Sequence, residues 1–212
     1  QLTTRDMTKP GSAIECVRPL LAAAGFRKRT GEVFTTEVAP DVLGWLGLNT
    51  VTRHLPTGQM EVNPIVGVRH QRIEQLVAEL CGEKPHAYNP PTLSVSVGYL
   101  LPERRYRCWH LGGSDTMAVA EDMVRTIVVH AVPFMQEMAD RGELVHGLKG
   151  KFGIEGLRNY RIPVARLLGG DPAGAVEHLD HSLAKQGVRT DPAALRFRAF
   201  AEALRERCTR ER

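Results

Sequence analysis

Two short segments carry the residue types that metal binding and nucleophilic catalysis require. The first, Glu177-His178-Leu179-Asp180-His181, places two imidazoles three residues apart, so that both face the same side of a helix. A closed zinc site needs four ligands and an open one needs three, and no His-rich or Cys-rich segment elsewhere supplies the others. The neighbouring acidic residues, Glu177 and Asp180, are typical of a solvent-facing helix surface. We therefore expect neither a metal site nor a cofactor.

The second segment, Cys108-Trp109-His110, places a thiol and an imidazole two residues apart, which on a strand puts both on one face. No G-x-S-x-G motif and no cysteine in a known nucleophile context accompanies them. A buried cysteine beside a structural histidine is the simpler interpretation. Two glycine-rich segments, 111–115 and 147–156, lack phosphate-binding spacings; we interpret them as connections, with anion binding as the alternative. The sequence favours a protein without enzymatic activity, although it does not exclude an enzyme.

A candidate binding surface comes from the tryptophans and arginines of the predicted strands. These are the residue types most often found as anchors in protein interfaces. The alternative for each tryptophan is packing in the core, with the arginines as ordinary solvated residues at strand ends. The candidate binding residues are Trp45, Arg53, Arg104, Arg107, Trp109 and His110.

Hydrophobic periodicity predicts the elements that position these residues. Apolar residues at helical spacing predict an N-terminal helix that ends at Gly25, and Pro19 either kinks it or begins a second short helix. Alternating apolar residues predict an antiparallel meander of three strands and then two further strands. The five predicted strands are 33–38, 42–53, 59–68, 93–101 and 106–111.

Three helical regions complete the prediction. A helix is predicted at 69–80, and a long helix begins at Ser114 or Asp115 and kinks at Pro133. Beyond residue 160 the pattern is entirely helical, with Asp171-Pro172 and Asp191-Pro192 as helix starts. The predicted fold class is α+β, with an antiparallel sheet of about five strands packed against helices and an all-helical C-terminal extension. We expect an α+β domain at 1–145 and the extension packed on it at 146–212.

Composition excludes several classes of protein. With 42% hydrophobic and 25% charged residues among 212, the chain has enough apolar residues for a sizeable core, which argues against intrinsic disorder. The net charge of +4 is divided evenly between the two halves, so nucleic-acid binding is not favoured. Four widely spaced cysteines and no signal-peptide pattern indicate reduced thiols in the cytoplasm. No apolar run reaches the roughly 18 residues of a membrane span.

The N-terminal part contains a leucine-rich helix end, then Gly25-Phe26 with Arg27 and Lys28, and then the aromatic Phe34. In this pattern it resembles an uncharacterised bacterial family, domain of unknown function 4304. Members begin with a helix that ends in a leucine-rich run, followed by Gly-Phe, two basic residues and an aromatic residue that opens the sheet. The resemblance covers roughly residues 5 to 140 and includes the strand segment 42–49. It implies an α+β fold and carries no known reaction or catalytic residue. The matching residues are Leu20, Leu21, Gly25, Phe26, Arg27, Lys28 and Phe34.

Two functions are compatible with these features. The favoured one is a cytoplasmic, non-enzymatic factor, of the immunity or accessory type, that binds another protein through the sheet face. The alternative is a small-molecule-binding protein or an enzyme of a biosynthetic cluster, with a pocket between the sheet and the long helix near His110, His130 or Arg125. Burial of both tryptophans, with no apolar patch elsewhere, counts against the first function, and a polar-lined cavity favours the second.

Overall fold

The computed structural model describes residues 12–150, 152 and 155–210. It confirms the predicted α+β class, with an antiparallel sheet and helices in the C-terminal part. The described residues form two compact units. The first unit holds the chain up to Val68 together with Ser94–Glu137, and the second holds Arg69–Leu93 and the chain from Met138 onward. The domain boundary expected between residues 145 and 146 stays a prediction.

The chain begins with two short helices, so Pro19 lies near the start of a second helix, as one of the two alternatives predicted. Pro19 is the third residue of that helix, where a backbone N–H has no helical partner and its absence costs little. The predicted end at Gly25 is confirmed: its φ is +87°, and the N–H of buried Phe26 donates to the Leu21 carbonyl at 2.9 Å. The helices are α1 (Ser12–Glu15) and α2 (Val17–Ala23).

The sheet has six strands, one more than predicted. Its strand order is β1-β2-β3-β4-β5, and β6 also pairs with β4. The predicted meander corresponds to the neighbouring strands β2, β3 and β4, while β1 is a two-residue edge strand paired antiparallel with β2. The strands are β1 (Arg27–Lys28), β2 (Val33–Ala39), β3 (Val42–Val51), β4 (Met60–His70), β5 (Leu93–Ser96) and β6 (Trp109–Leu111).

The long strands predicted at 93–101 and 106–111 are wrong in length. Strand β5 ends at Ser96 and continues as a 3₁₀ helix, Val97–Leu100. The buried amide of Asn63 donates to the Ser96 hydroxyl at 2.9 Å and to the Arg107 carbonyl at 2.8 Å, so a side chain takes the place of a strand partner there. A Cβ at Gly98 would lie 2.2 Å from the Arg105 carbonyl oxygen, which shows how closely the returning chain passes. These contacts replace regular pairing.

The long helix predicted after Asp115 is divided into three parts. A π-helical turn, Ile127–Ala131, separates two α-helices and precedes Pro133. This turn accommodates a proline that lacks an N–H and crowds the preceding helical turn. Asp115 occupies the N-cap position but its side chain makes no capping bond; instead the Thr116 hydroxyl accepts from the Gly112 N–H at 2.7 Å. The helices are α4 (Thr116–Thr126) and α5 (Val132–Glu137).

The core of the first unit forms where α2 packs against α4 and where α2, α4 and α5 each contact strands of the sheet. Because the apolar residues of α4 recur at helical spacing, one face of the helix is buried and the opposite face is exposed. Apolar burial of this kind is the main favourable contribution to folding. The buried side chains include Leu21, Phe34, Leu46, Val62, Met123 and Met135.

The second unit consists of helices, a few strand residues and the irregular connection 83–90, and its predicted helix starts are confirmed. Asp171 accepts a hydrogen bond from the Gly174 N–H at 2.8 Å, and Asp191 accepts one from the Ala194 N–H. The glycine-rich segment 147–156 lies partly outside the described residues. Among the helices that are described, none is long and apolar enough to cross a membrane. The helices are α3 (Gln71–Leu80), α6 (Arg141–Lys149), α7 (Glu155–Leu168), α8 (Pro172–Gln186) and α9 (Pro192–Arg210).

Candidate functional site

Both tryptophans of the predicted binding surface lie in the core of the first unit. Trp45 on β3 is 9% exposed and Trp109 on β6 is 4% exposed. The indole Nε1–H of Trp109 donates to Asp122 Oδ2 at 2.9 Å, which satisfies its one polar group. Neither ring is therefore available as an exposed anchor. Both rings lie in the core, as in the alternative interpretation of the tryptophans.

Arg107 forms part of a cluster around the same Trp109 ring. Its guanidinium carbon lies 4.7 Å from the ring centroid, and its Nη2 lies 3.1 Å from Asp122 Oδ2. Arg125 binds the other oxygen of that carboxylate at 2.6 Å. The Trp109 N–H, followed by the two arginines, lowers the pKa of Asp122. Arg107 is therefore engaged within the protein, and its cation–π contact and ion pair hold β6 against α4.

The remaining predicted residues are exposed but dispersed. Arg53 lies in the connection between β3 and β4, Arg104 lies in the connection before β6 with a φ of +46°, and the His110 side chain on β6 is 63% exposed. Their role in binding stays a prediction.

His110 belongs to a polar cluster that the sequence showed only in part. Cys108 and His110 do share one side of the chain, as their spacing predicted, and Glu61 joins them from β4. The ligand atoms of the three side chains all lie within 4.8 Å of one another. The hydroxyl of Tyr106 donates to Glu61 Oε1 at 2.9 Å, and this bond is the main reason that the pKa of Tyr106 rises to about 12. Burial, followed by the hydrogen bond to Glu61, raises the pKa of the Cys108 thiol.

The histidine pair on α8 has an environment that disfavours a metal cation. Burial, and then the nearby cations Arg166, Lys149, His181 and Arg158, lower the pKa of His178 to about 4. The nearby positive charges repel a divalent ion as they repel a proton. The expectation that the pair binds no metal stays a prediction.

The second unit contains a cavity of about 400 Å³ that no sequence motif indicated. Its wall is built from α3, the connection 83–90, α7 and α9. None of His110, His130 and Arg125, the residues expected near a pocket, lines it. Four cationic residues and two carboxylates line the cavity, an excess of two positive charges. The charged lining residues are Arg69, Glu74, Glu83, Lys84, Arg161 and Arg196.

The deepest charges of this cavity form a buried cluster of two guanidiniums and one carboxylate. Arg161 Nε and Nη2 donate to the two oxygens of Glu74 at 2.7 and 3.2 Å, a bidentate pair. Arg69 Nη1 lies 3.9 Å from the same carboxylate, at the limit of an ion pair. All three side chains are at most 5% exposed. Burial lowers the pKa of Arg69, although Glu74 opposes the shift. The cluster therefore contains one more positive than negative charge.

Arg69 also determines the course of the connection 83–90. Its Nη1 donates to the Pro90 carbonyl at 2.5 Å and its Nη2 donates to the His86 carbonyl. Nε donates to the Gln71 side chain at 2.7 Å. Because this connection has no regular structure, its carbonyls need partners outside it, and the buried guanidinium supplies two. Arg69 therefore links the connection 83–90, which forms the rim of the cavity, to the buried charge cluster, which forms its floor.

The rim carries a second, exposed ion pair between Arg196 on α9 and Glu83. The Cys81 thiol is half-buried beside it and lines the cavity. Burial raises the pKa of Cys81 despite the hydrogen bond with Arg196. A catalytic cysteine requires the opposite shift, because the thiolate is the nucleophile. The direction of this shift does not favour a thiolate at Cys81, and the charged side chains are the groups that this cavity offers to a ligand.

No protein-family model, curated protein or solved structure matches the chain. The resemblance of the N-terminal part to the uncharacterised bacterial family stays a prediction.

Proposed function

We propose that this protein binds a small molecule bearing a carboxylate or phosphate group in the cavity of its second unit. The observation that carries the proposal is the sharing of one buried carboxylate, Glu74, by two buried guanidiniums, Arg69 and Arg161. A cytoplasmic location and a non-enzymatic role, both expected from the sequence, are parts of the same proposal. The sequence raised the same ligand-binding alternative, but with the pocket between the sheet and the long helix of the first unit.

The reason is the cost of unpaired charge in a protein interior. Removing a guanidinium from water costs several kcal/mol, about as much as a good buried ion pair returns. Arg161 makes both close hydrogen bonds to Glu74, so Arg69 is hydrogen-bonded to neutral groups and lies 3.9 Å from the shared carboxylate. An anionic ligand group supplies the missing negative charge. Arginine presents its donors in a planar fork that matches carboxylate and phosphate oxygens.

Binding is tested by thermal denaturation and isothermal calorimetry of the full chain. Inorganic phosphate and acetate serve as separate probes, with potassium chloride at equal ionic strength as the reference and glycerol as a neutral probe. We expect phosphate or acetate to raise the melting temperature above the chloride reference, and glycerol at the same concentration to leave it unchanged. Preference between the two anions identifies the ligand group. Equal effects of all anions would overturn the proposal.

Rim variants locate the binding to this cavity. Arg196→Ala removes a cationic rim residue and should weaken anion binding about tenfold, the value of one charge-assisted hydrogen bond. Glu83→Gln removes the competing carboxylate beside Arg196 and should strengthen binding. Arg125→Ala, a change at an exposed arginine of the first unit, is the matched control. Identical anion effects in all three variants would place the binding elsewhere.

A protein partner, the function that the sequence favours, is a second proposal. Tyr99 on the 3₁₀ helix and Val128 and Val129 on the π-helical turn are exposed, and these two segments contact each other. Exposed apolar groups that lie together are typical of interaction sites. A photoreactive residue at position 99 should form a defined cross-link in cells that Val129→Glu abolishes. Val188→Glu, a change at an exposed valine of the second unit, should retain it; equal loss in both variants would contradict the proposal.

A further inference from the structure

The first unit holds a second candidate site, which is independent of the anion-binding cavity. Glu61 and His110 are directly opposite each other in the antiparallel pair of β4 and β6. Cys108 lies two residues before His110, and so on the same face of the chain. A carboxylate from β4, an imidazole from β6 and a thiol from the residue just before β6 therefore converge. Strand register fixes the positions of Glu61 and His110, and Cys108 directly precedes the first residue of β6.

We propose that Glu61, Cys108 and His110 bind a zinc ion through one carboxylate oxygen, the thiolate sulfur and one imidazole nitrogen. A tetrahedral zinc site with bonds of about 2.0–2.3 Å has ligand atoms about 3.3–3.8 Å apart. Glu61 Oε2 and His110 Nε2 are 3.7 Å apart, within that range and too far for a hydrogen bond. All three ligand atoms lie within 4.8 Å of one another, so small side-chain rotations bring them onto one ion.

The ligand types select the metal. A thiolate and an imidazole favour zinc over magnesium or calcium, which prefer oxygen ligands. Three protein ligands leave the fourth tetrahedral position open, and the exposure of His110 leaves that position accessible to water or to a ligand atom of another molecule. The site therefore has the composition of an open zinc centre.

A neighbouring hydroxyl orients the carboxylate. The Tyr106 hydroxyl donates to Glu61 Oε1, the oxygen that does not face His110, and leaves Oε2 for the metal. Hydrogen bonds of this kind to metal ligands commonly fix their direction. We assign Tyr106 as a positioning residue of the site.

Cobalt(II) reports the site because a cobalt–thiolate bond gives a charge-transfer band in the near ultraviolet. The full chain, stripped with a chelator, is titrated with cobalt chloride and then with zinc chloride. We expect one cobalt per chain, a tetrahedral visible spectrum with the thiolate band, and displacement by zinc. Absence of the band, or an octahedral spectrum without sulfur, would overturn the proposal and leave an exposed polar cluster that binds no metal.

Variants assign the ligands. Cys108→Ser should abolish the thiolate band and weaken binding by at least about 100-fold, since it removes a ligand, whereas Cys16→Ser and Cys81→Ser should keep the band. Tyr106→Phe should keep the band but weaken binding about 10- to 100-fold, which a purely structural residue would not do. Circular dichroism checks that each variant is folded. Persistence of the band in Cys108→Ser, or its loss in Cys81→Ser, would refute the assignment.

Discussion

Replacement of Glu74 by glutamine tests the buried charge cluster most directly. The side chain keeps its size and one hydrogen-bond acceptor, but its charge is lost and two guanidiniums stay buried without an anion. Removal of one partner from a buried ion pair costs about 3–5 kcal/mol. For a chain of this size, each kcal/mol changes the melting temperature by about 2–4 °C, so we expect a decrease of about 6–20 °C.

The assay is urea unfolding and thermal denaturation of the wild type and of two variants. Glu83→Gln is the matched control because it removes the carboxylate of an exposed ion pair at the rim of the same cavity. An exposed pair contributes about 0–1 kcal/mol, so the control should lose little stability. A loss in Glu74→Gln no larger than that of the control would show that the burial of the cluster is not important for stability.

The same variant also connects stability to ligand binding. Glu74→Gln leaves the cavity floor with two uncompensated positive charges from Arg69 and Arg161. Inorganic phosphate should therefore stabilise this variant more than the wild type, because an anion bound only by the folded state raises its stability. An equal phosphate effect in the two proteins would separate the cluster from anion binding.

Two further perturbations follow from the contacts described above. Gly98→Ala should destabilise the first unit by about 3 kcal/mol in urea unfolding, because its Cβ would overlap the Arg105 carbonyl oxygen. In the control, Gly113→Ala, the new Cβ meets no neighbouring atom, so stability should change by less than about 0.5 kcal/mol. His178 has a pKa of about 4 in the folded chain and 6.5 as a free side chain. Between these pH values the unfolded chain binds more protons than the folded chain. The free energy of unfolding therefore falls as the pH decreases from 6.5 toward 4. Between pH 7 and pH 5, the His178→Gln variant should lose less stability than the wild type, whereas the variant at exposed His181, His181→Gln, should lose as much as the wild type. If His178→Gln loses as much stability as the wild type, His178 is not the group responsible for the pH dependence.

Local sequence patterns predicted the parts of the fold that local interactions determine. Apolar and β-branched residues between turn signals predicted β2 to β4, and in β3 and β4 consecutive residues are buried along most of the strand. Asp171 and Asp191 begin helices because each carboxylate accepts the N–H of the residue three positions ahead. Gly25 ends a helix because it adopts a positive φ at no steric cost.

The errors arise where a distant residue replaces a local partner. The alternation at 93–101 has the pattern of a strand, but the amide of Asn63 binds Ser96 and Arg107 and the chain leaves the sheet. Asn63 lies 33 residues before Ser96 and 44 residues before Arg107, beyond any periodicity. Tertiary hydrogen bonds of this kind override a local preference.

Part of the candidate sites could be predicted from the sequence. The spacing of Cys108 and His110 predicted their common face, whereas Glu61 becomes their neighbour only through the pairing of β4 with β6. Glu74 and Arg161 are 87 residues apart, so no motif joins them. A weak signal was present, because Glu74 stands beside Ile73 on the apolar side of α3, where an unpaired carboxylate would be costly.

Arg69 holds the connection 83–90 through backbone carbonyls, whereas the His86 ring holds it by accepting the N–H groups of Tyr88 and Asn89. The guanidinium binds carbonyl oxygens, which every amino acid possesses, so neither bond depends on the side chain at His86. Exposed rim residues such as Lys84 can therefore be exchanged during evolution while the rim keeps its path. Ligand preference can diverge among related chains, or be redesigned, through this one connection, with the helices and the buried charges retained.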